Sequence, residues 1–211
     1  MSKMDFAALL CSRLCHDLVS PVGAINNGLE ILEEEKDASM REAVLDLITK
    51  STQQTANKLQ FFRLAFGAAG GFSAQLDTRE AFKAVEALLA GSRVTLEWHI
   101  GVSSVSKHVV KMLLNVVLVA SESLIRGGVL VVSLDQKGDQ YHLEVEATGE
   151  RIILQEALKA CLLGNVADED LEPRTAPAYL AAVVVQELNG TLDVTQTDEK
   201  LLVKASVNAS N

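Results

Sequence analysis

The segment Cys15-His16-Asp17-Leu18-Val19-Ser20-Pro21 sets an imidazole, a carboxylate and a proline within two helical turns of one another. A neutral imidazole nitrogen is a good nucleophile toward a phosphoryl group. A neighbouring carboxylate can orient that ring or take its proton, as in hydrolytic triads, although Asp17 could equally serve surface solvation. Pro21 has no N–H to donate. Inside a helix it frees the carbonyl of Asp17, four residues earlier, and a kink is expected beside the histidine. A metal is the competing chemistry. Cys11, Cys15 and His16 form C-x-x-x-C-H, one residue longer than a haem-attachment site. For zinc, His16 lies off the face that the two cysteines share, and no fourth ligand is evident. No metal and no cofactor of its own are expected. His99, His108 and His142 belong to no recognisable constellation and are read as structural.

These residues need an element to carry them. Leu14, Leu18, Val22, Ile25, Leu29 and Leu32 recur with the 3.5-residue rhythm of a helical seam. After the polar stretch 33–39, Leu45, Ile48, Thr52, Thr55, Leu59, Phe62 and Phe66 repeat it. Two long helices joined by a short connection are antiparallel neighbours. At about 100° per residue, His16 points away from the seam, with Ser12, Ser20 and then Gly23 on its own face. A turn near Glu35 to Asp37 sets His16 level with Asn57. Gln54, Asn57, Lys58 and Phe61 are then expected to border a partner docked on His16, together with Ser12, Arg13, Ser20 and Gly23. Arg13 and Lys58 are the cations of that set.

Two helices cannot cover their apolar faces on all sides. Pairing two hairpins into a four-helix bundle would cover them, which predicts a homodimer; the alternative is that the second half of the chain does so. The tract Gly67-Ala68-Ala69-Gly70-Gly71 marks a linker. The expected division is a helical hairpin over 1–67, a linker over 68–76 and a second domain over 77–211. In the second domain, helical patterns at Phe82 to Leu89, Lys107 to Ile125, Ile152 to Leu163 and Ala178 to Leu188 alternate with strand patterns. The strands are expected at Arg93 to Ile100, Val129 to Leu134, Tyr141 to Glu146, Thr191 to Thr195 and Leu201 to Val207. Helices on one face of a mixed sheet make an α/β sandwich, so the whole chain is expected to be α+β.

Composition narrows the partners. The 211 residues carry a net charge of −9 and are 48 % hydrophobic but only 4 % aromatic. No basic footprint for nucleic acid is present. No uninterrupted apolar run reaches the ~20 residues of a membrane helix, and no secretory signal is expected in the first residues. Three cysteines do not make a disulfide framework, so a reducing cytoplasm is expected.

The motif also resembles a family. His16-Asp17-Leu18-Val19-Ser20-Pro21 is similar to the H-box of sensor histidine kinases, and the hairpin to their dimerisation and phosphotransfer domain. Leu113-Leu114-Asn115-Val116-Val117-Leu118-Val119-Ala120, running to Gly127-Gly128, is similar to the kinase N-box. Val145 to Gly149 sits where the Asp-x-Gly-x-Gly box would be. Asn189-Gly190-Thr191-Leu192-Asp193-Val194 is similar to the strand that ends a kinase ATP-binding (Bergerat) domain.

The departures matter more than the matches. Val119 replaces the Asn that would hold magnesium, Ala147 the adenine-binding Asp, and Arg151 the second glycine. Pro173, Thr175 and Pro177 stand in place of a Gly-rich lid. An ATP site needs a carboxylate, an oxygen ligand for magnesium and glycines for close phosphate approach, so a degenerate domain that does not bind ATP is expected.

A kinase-like chain of this kind, with Cys15 to Leu32 the closest tract, resembles the alphaproteobacterial ChpT family of histidine phosphotransferases. That resemblance implies a dimer with His16 as phosphoacceptor, Asp17 as orienting group or base, and Pro21 shaping the helix. It implies phosphate taken from the receiver domain of a hybrid histidine kinase and passed to response regulators of the CtrA and CpdR type. The receiver would bring its own Mg2+. A scaffold that docks receivers or kinases without carrying phosphate is the rival from another class.

Overall fold

The computed structural model describes residues 1–67 and 75–209. Helix α1 (Lys3–Glu34) starts on a capping box: the Ser2 hydroxyl accepts from the Asp5 N–H while the Asp5 carboxylate accepts from the Ser2 N–H. Asp37 caps α2 (Ala38–Ala65), accepting from the Met40 N–H at 3.0 Å. The short connection makes the two helices an antiparallel hairpin, as expected. A Cβ at Gly28 would lie 2.6 Å from Ile48 Cγ1, so the glycine lets the helices approach closely there. α1 runs through Pro21 as one continuous element.

By length and composition α1 is the one helix among the described residues that could cross a membrane, which the sequence reading did not anticipate. One flank of it instead packs on α2, and its central charges are engaged by other parts of the chain.

The heptad stripes divide. Phe62 is buried, and Leu14, Leu18, Ile25 and Ile48 are half-buried. Val22, Leu29, Leu45 and Leu59 remain between 45 and 52 % exposed. At the far end of α2, Phe61, Phe62, Leu64 and Ala65 enter one continuous core with the second half of the chain.

That second half begins with β1 (Gln75–Asp77), α3 (Thr78–Leu89), β2 (Val94–Ile100), β3 (Ser104–Ser106) and α4 (Lys107–Ser123). It continues with β4 (Gly128–Lys137), β5 (Gln140–Thr148), α5 (Glu156–Leu162), α6 (Ala176–Glu187), β6 (Thr191–Gln196) and β7 (Lys200–Asn208). Five strands form a sheet in the order β2-β4-β5-β7-β6, parallel between β2 and β4 and antiparallel elsewhere. Along β5, Tyr141, Leu143, Val145 and Ala147 face the helices and are buried. The opposite face is polar. There Lys204 reaches Glu144 at 2.9 Å and Lys200 reaches Glu146 at 2.8 Å. The expected α+β class and α/β sandwich are therefore observed.

Three local differences have physical causes. The pair β1–β3 was not anticipated, because three-residue strands are too short to display an alternation. The helix expected from Ile152 starts only at Glu156. The Ile152 N–H donates to the Asp198 carbonyl at 2.7 Å and the Ile153 N–H to the Ser123 carbonyl at 3.1 Å, which holds this stretch extended. Of the expected linker 68–76, residues 68–74 lie outside the described residues, and Gln75 and Leu76 belong to β1.

Candidate active site around His16

His16 projects from the middle of α1 with 83 % of its side chain exposed. Asp17 beside it is only 15 % exposed. The Asp17 Oδ1 lies 3.1 Å from His16 Nδ1. An ionised carboxylate only accepts hydrogen bonds, so in a neutral imidazole this contact puts the proton on Nδ1 and the lone pair on Nε2. In that form the exposed ring can offer Nε2 as a nucleophile.

Asp17 is itself held. Its Oδ2 accepts from Arg13 Nε at 2.9 Å, one turn back on the same helix. Arg13 was expected to border a docked partner and meet its phosphoryl group or acids; its side chain is instead 6 % exposed and bonded within the chain through all three nitrogens. Nη1 donates to the Arg174 carbonyl at 3.3 Å, and Nη2 forms an ion pair with Glu122 near the end of α4. Burial acts against the guanidinium's charge, but Glu122 and Asp17 together outweigh it and hold Arg13 above its usual range.

Lys58 also has a different task from the one expected. Its Nζ donates to the Asp17 carbonyl at 2.8 Å. That is the carbonyl deprived of its intrahelical partner by Pro21, so a cation from α2 satisfies the gap. Phe61, expected on the docking border, is fully buried in the core and cannot contribute there. Asn57 turns toward α3, donating from Nδ2 to the Ala87 carbonyl at 2.8 Å and accepting from Gln53 Nε2 at 2.7 Å. Gln54, Ser12 and Ser20 are exposed, and the space where a Cβ would stand on Gly23 is open.

An open cavity of about 690 Å³ lies beside the imidazole, lined by Ser12, Arg13, His16, Asp17, Glu122, Glu172, Pro173 and Arg174. Arg174 is exposed and makes no ion pair among the described residues. An exposed cation next to an exposed imidazole suits an anionic partner. Glu122, Glu172 and Arg174 went unnoticed in the sequence, where they lie more than 100 residues from His16 in no recognisable pattern. Among the described residues, no group of three or more His, Cys, Asp or Glu is placed to hold a metal ion.

Residues 78–200 match the model of the histidine phosphotransferase C-terminal domain. The chain is 32 % identical over 205 residues to the protein phosphotransferase ChpT of Brucella abortus (strain 2308), covering 97 % of each. A solved bacterial phosphotransferase superposes with a TM-score of 0.87 at 31 % identity, covering 97 % of both chains. The histidine kinase domain of the Erythrobacter litoralis EL346 blue-light kinase superposes with a TM-score of 0.50 at 14 % identity, over 90 % of this chain and 94 % of that one. This second likeness concerns the fold alone.

Proposed function

The chain belongs to the histidine phosphotransferase family, and from that premise we propose that His16 is its phosphoacceptor in a multistep relay. The observation that carries the proposal is the 3.1 Å contact from Asp17 to Nδ1 of an imidazole whose opposite nitrogen faces solvent. The donor is the phospho-aspartate of a hybrid kinase's receiver domain. The His16 Nε2 lone pair forms the new N–P bond while the P–O bond to the donor aspartate breaks, and that carboxylate leaves with the bonding electrons. The phosphorylated ring keeps its Nδ1 proton and gains positive charge, which Asp17 stabilises. This keeps the phosphoryl group transferable. A second receiver then takes it in the reverse sense, onto the aspartate of a response regulator of the CtrA or CpdR type. Phosphoryl transfer is mostly positioning and charge stabilisation, so Mg2+ arrives with the receiver.

In this reading residues 1–67 carry the nucleophile and residues 77–211 widen the docking surface, with Arg174 facing the receiver. The exposed positions Val22, Leu29, Leu45 and Leu59 support the pairing of two hairpins in a homodimeric four-helix bundle. Val119 and Ala147, at the positions of the missing magnesium and adenine ligands, are buried in apolar core. This supports a domain that binds no ATP. Free cysteines at 11, 15 and 161 accord with a cytoplasmic setting.

The test is transfer of labelled phosphate from a phosphorylated receiver. Label on the wild type, labile in acid and stable in base, absent from His16→Ala and independent of ATP, is the expected outcome. A wild type that binds receivers but never carries label from any donor would instead make the chain a scaffold.

A further inference from the structure

Glu122 is the point at which the second half of the chain grips the nucleophile. It sits at the end of α4, 106 positions from His16 in the sequence. It pairs with Arg13, Arg13 Nε holds Asp17 Oδ2 at 2.9 Å, and Asp17 Oδ1 meets His16 Nδ1 at 3.1 Å. The chain of contacts runs from half-exposed Glu122 through two largely buried groups to the exposed imidazole.

We propose that Glu122, acting through Arg13, is a positioning residue for phosphotransfer: it fixes the Asp17 carboxylate and thereby the His16 tautomer that leaves Nε2 free. The proposal rests on the relay reading of His16 and adds a task for the kinase-like domain besides docking. Two considerations favour it over a purely structural ion pair. First, Arg13 donates through three different nitrogens to three partners, Asp17, Glu122 and the Arg174 carbonyl. A planar guanidinium held at three points cannot rotate, so its Nε direction, and with it the Asp17 rotamer, is fixed. Second, a buried guanidinium paired with Asp17 alone would neutralise it. Glu122 shares that cation, and the three charges sum to −1, which leaves net negative charge facing the ring. Groups that orient a reactive histidine's partner commonly change rates by about 10–100-fold when removed, judging from ligand-orienting shells around metals.

The experiment compares full-length wild type, Glu122→Ala and Glu122→Gln. Nitrogen-15 NMR of the imidazoles, with His16 assigned by difference from His16→Ala, reads the tautomer. Transfer from a phosphorylated receiver, followed against receiver concentration, separates kcat from KM. In Glu122→Ala the Nε2–H tautomer of His16 is expected to grow and kcat to fall about 10-fold, with KM within about 2-fold of wild type. Glu122→Gln retains an acceptor for Arg13 but not the negative charge, and is expected to recover only part of the loss. An unchanged tautomer, even with a lowered melting temperature, overturns the proposal. So does an effect confined to KM, which makes Glu122 a docking residue. If the wild type takes no label while the tautomer still responds to Glu122→Ala, the positioning stands and the phosphotransfer reading falls.

Discussion

The hairpin and the sheet domain treat their apolar residues in opposite ways. In the sheet domain, Leu130, Val132 and Leu134 of β4 and Leu143, Val145 and Ala147 of β5 are sealed under α4. In the hairpin, Val22, Leu29, Leu45 and Leu59 stay about half-exposed along the same 3.5-residue stripe that buries Phe62. The first region satisfies itself within one chain. The second is covered where α2 meets α3 and α4 and where the start of α1 meets α6, and much of the rest of its seam is open. His16 lies on the open region, but its supporting contacts, through Arg13 and Glu122, come from the closed one. A side chain can therefore be accessible and still have an anchored partner, because Asp17 is held from behind.

Substitutions break this comparison in graded ways. Phe61→Ala, at the junction of the two regions, removes a fully buried aromatic and should cost about 3–5 kcal/mol, read as a lowered urea midpoint at unchanged slope. Lys58→Met strips the partner from the Asp17 carbonyl that Pro21 has already freed. Lys58 is half-buried, so water can replace it in part, and the expected cost is about 1 kcal/mol, a drop of roughly 2–4 °C in melting temperature. Leu45→Glu, on the open stripe, should change the stability of the monomer by less than about 0.5 kcal/mol. Its expected effect is on assembly: light scattering after gel filtration should report a dimer for wild type and a monomer for the variant. A Leu45→Glu protein that remains dimeric would place the dimer interface on another surface.

Much of the site was legible because its signals are local. The step from His16 to Asp17 and Pro21 is readable within one helix, and the antiparallel pairing correctly brought Lys58 alongside it. Level alone does not say where a side chain turns, however. Phe61 and Asn57 share that level, yet one enters the core and the other bonds α3. Arg13 was the larger surprise. A cation one turn from His16 reads as exposed until α4 and the stretch before α6 close over it, and those partners lie over 100 residues away. The extended stretch at Ile152 escaped for a similar reason, since its hydrogen bonds go to distant carbonyls that no local periodicity reveals.

The most direct measurement is the position of phosphorus on the ring. Wild type loaded from a phosphorylated receiver would be kept in mildly alkaline buffer, and phosphorus–proton NMR would read the couplings to the imidazole protons. Phosphate on Nε2 of His16 is the predicted result, because Asp17 occupies Nδ1. Phosphate on Nδ1, or on any residue other than His16, would contradict the account.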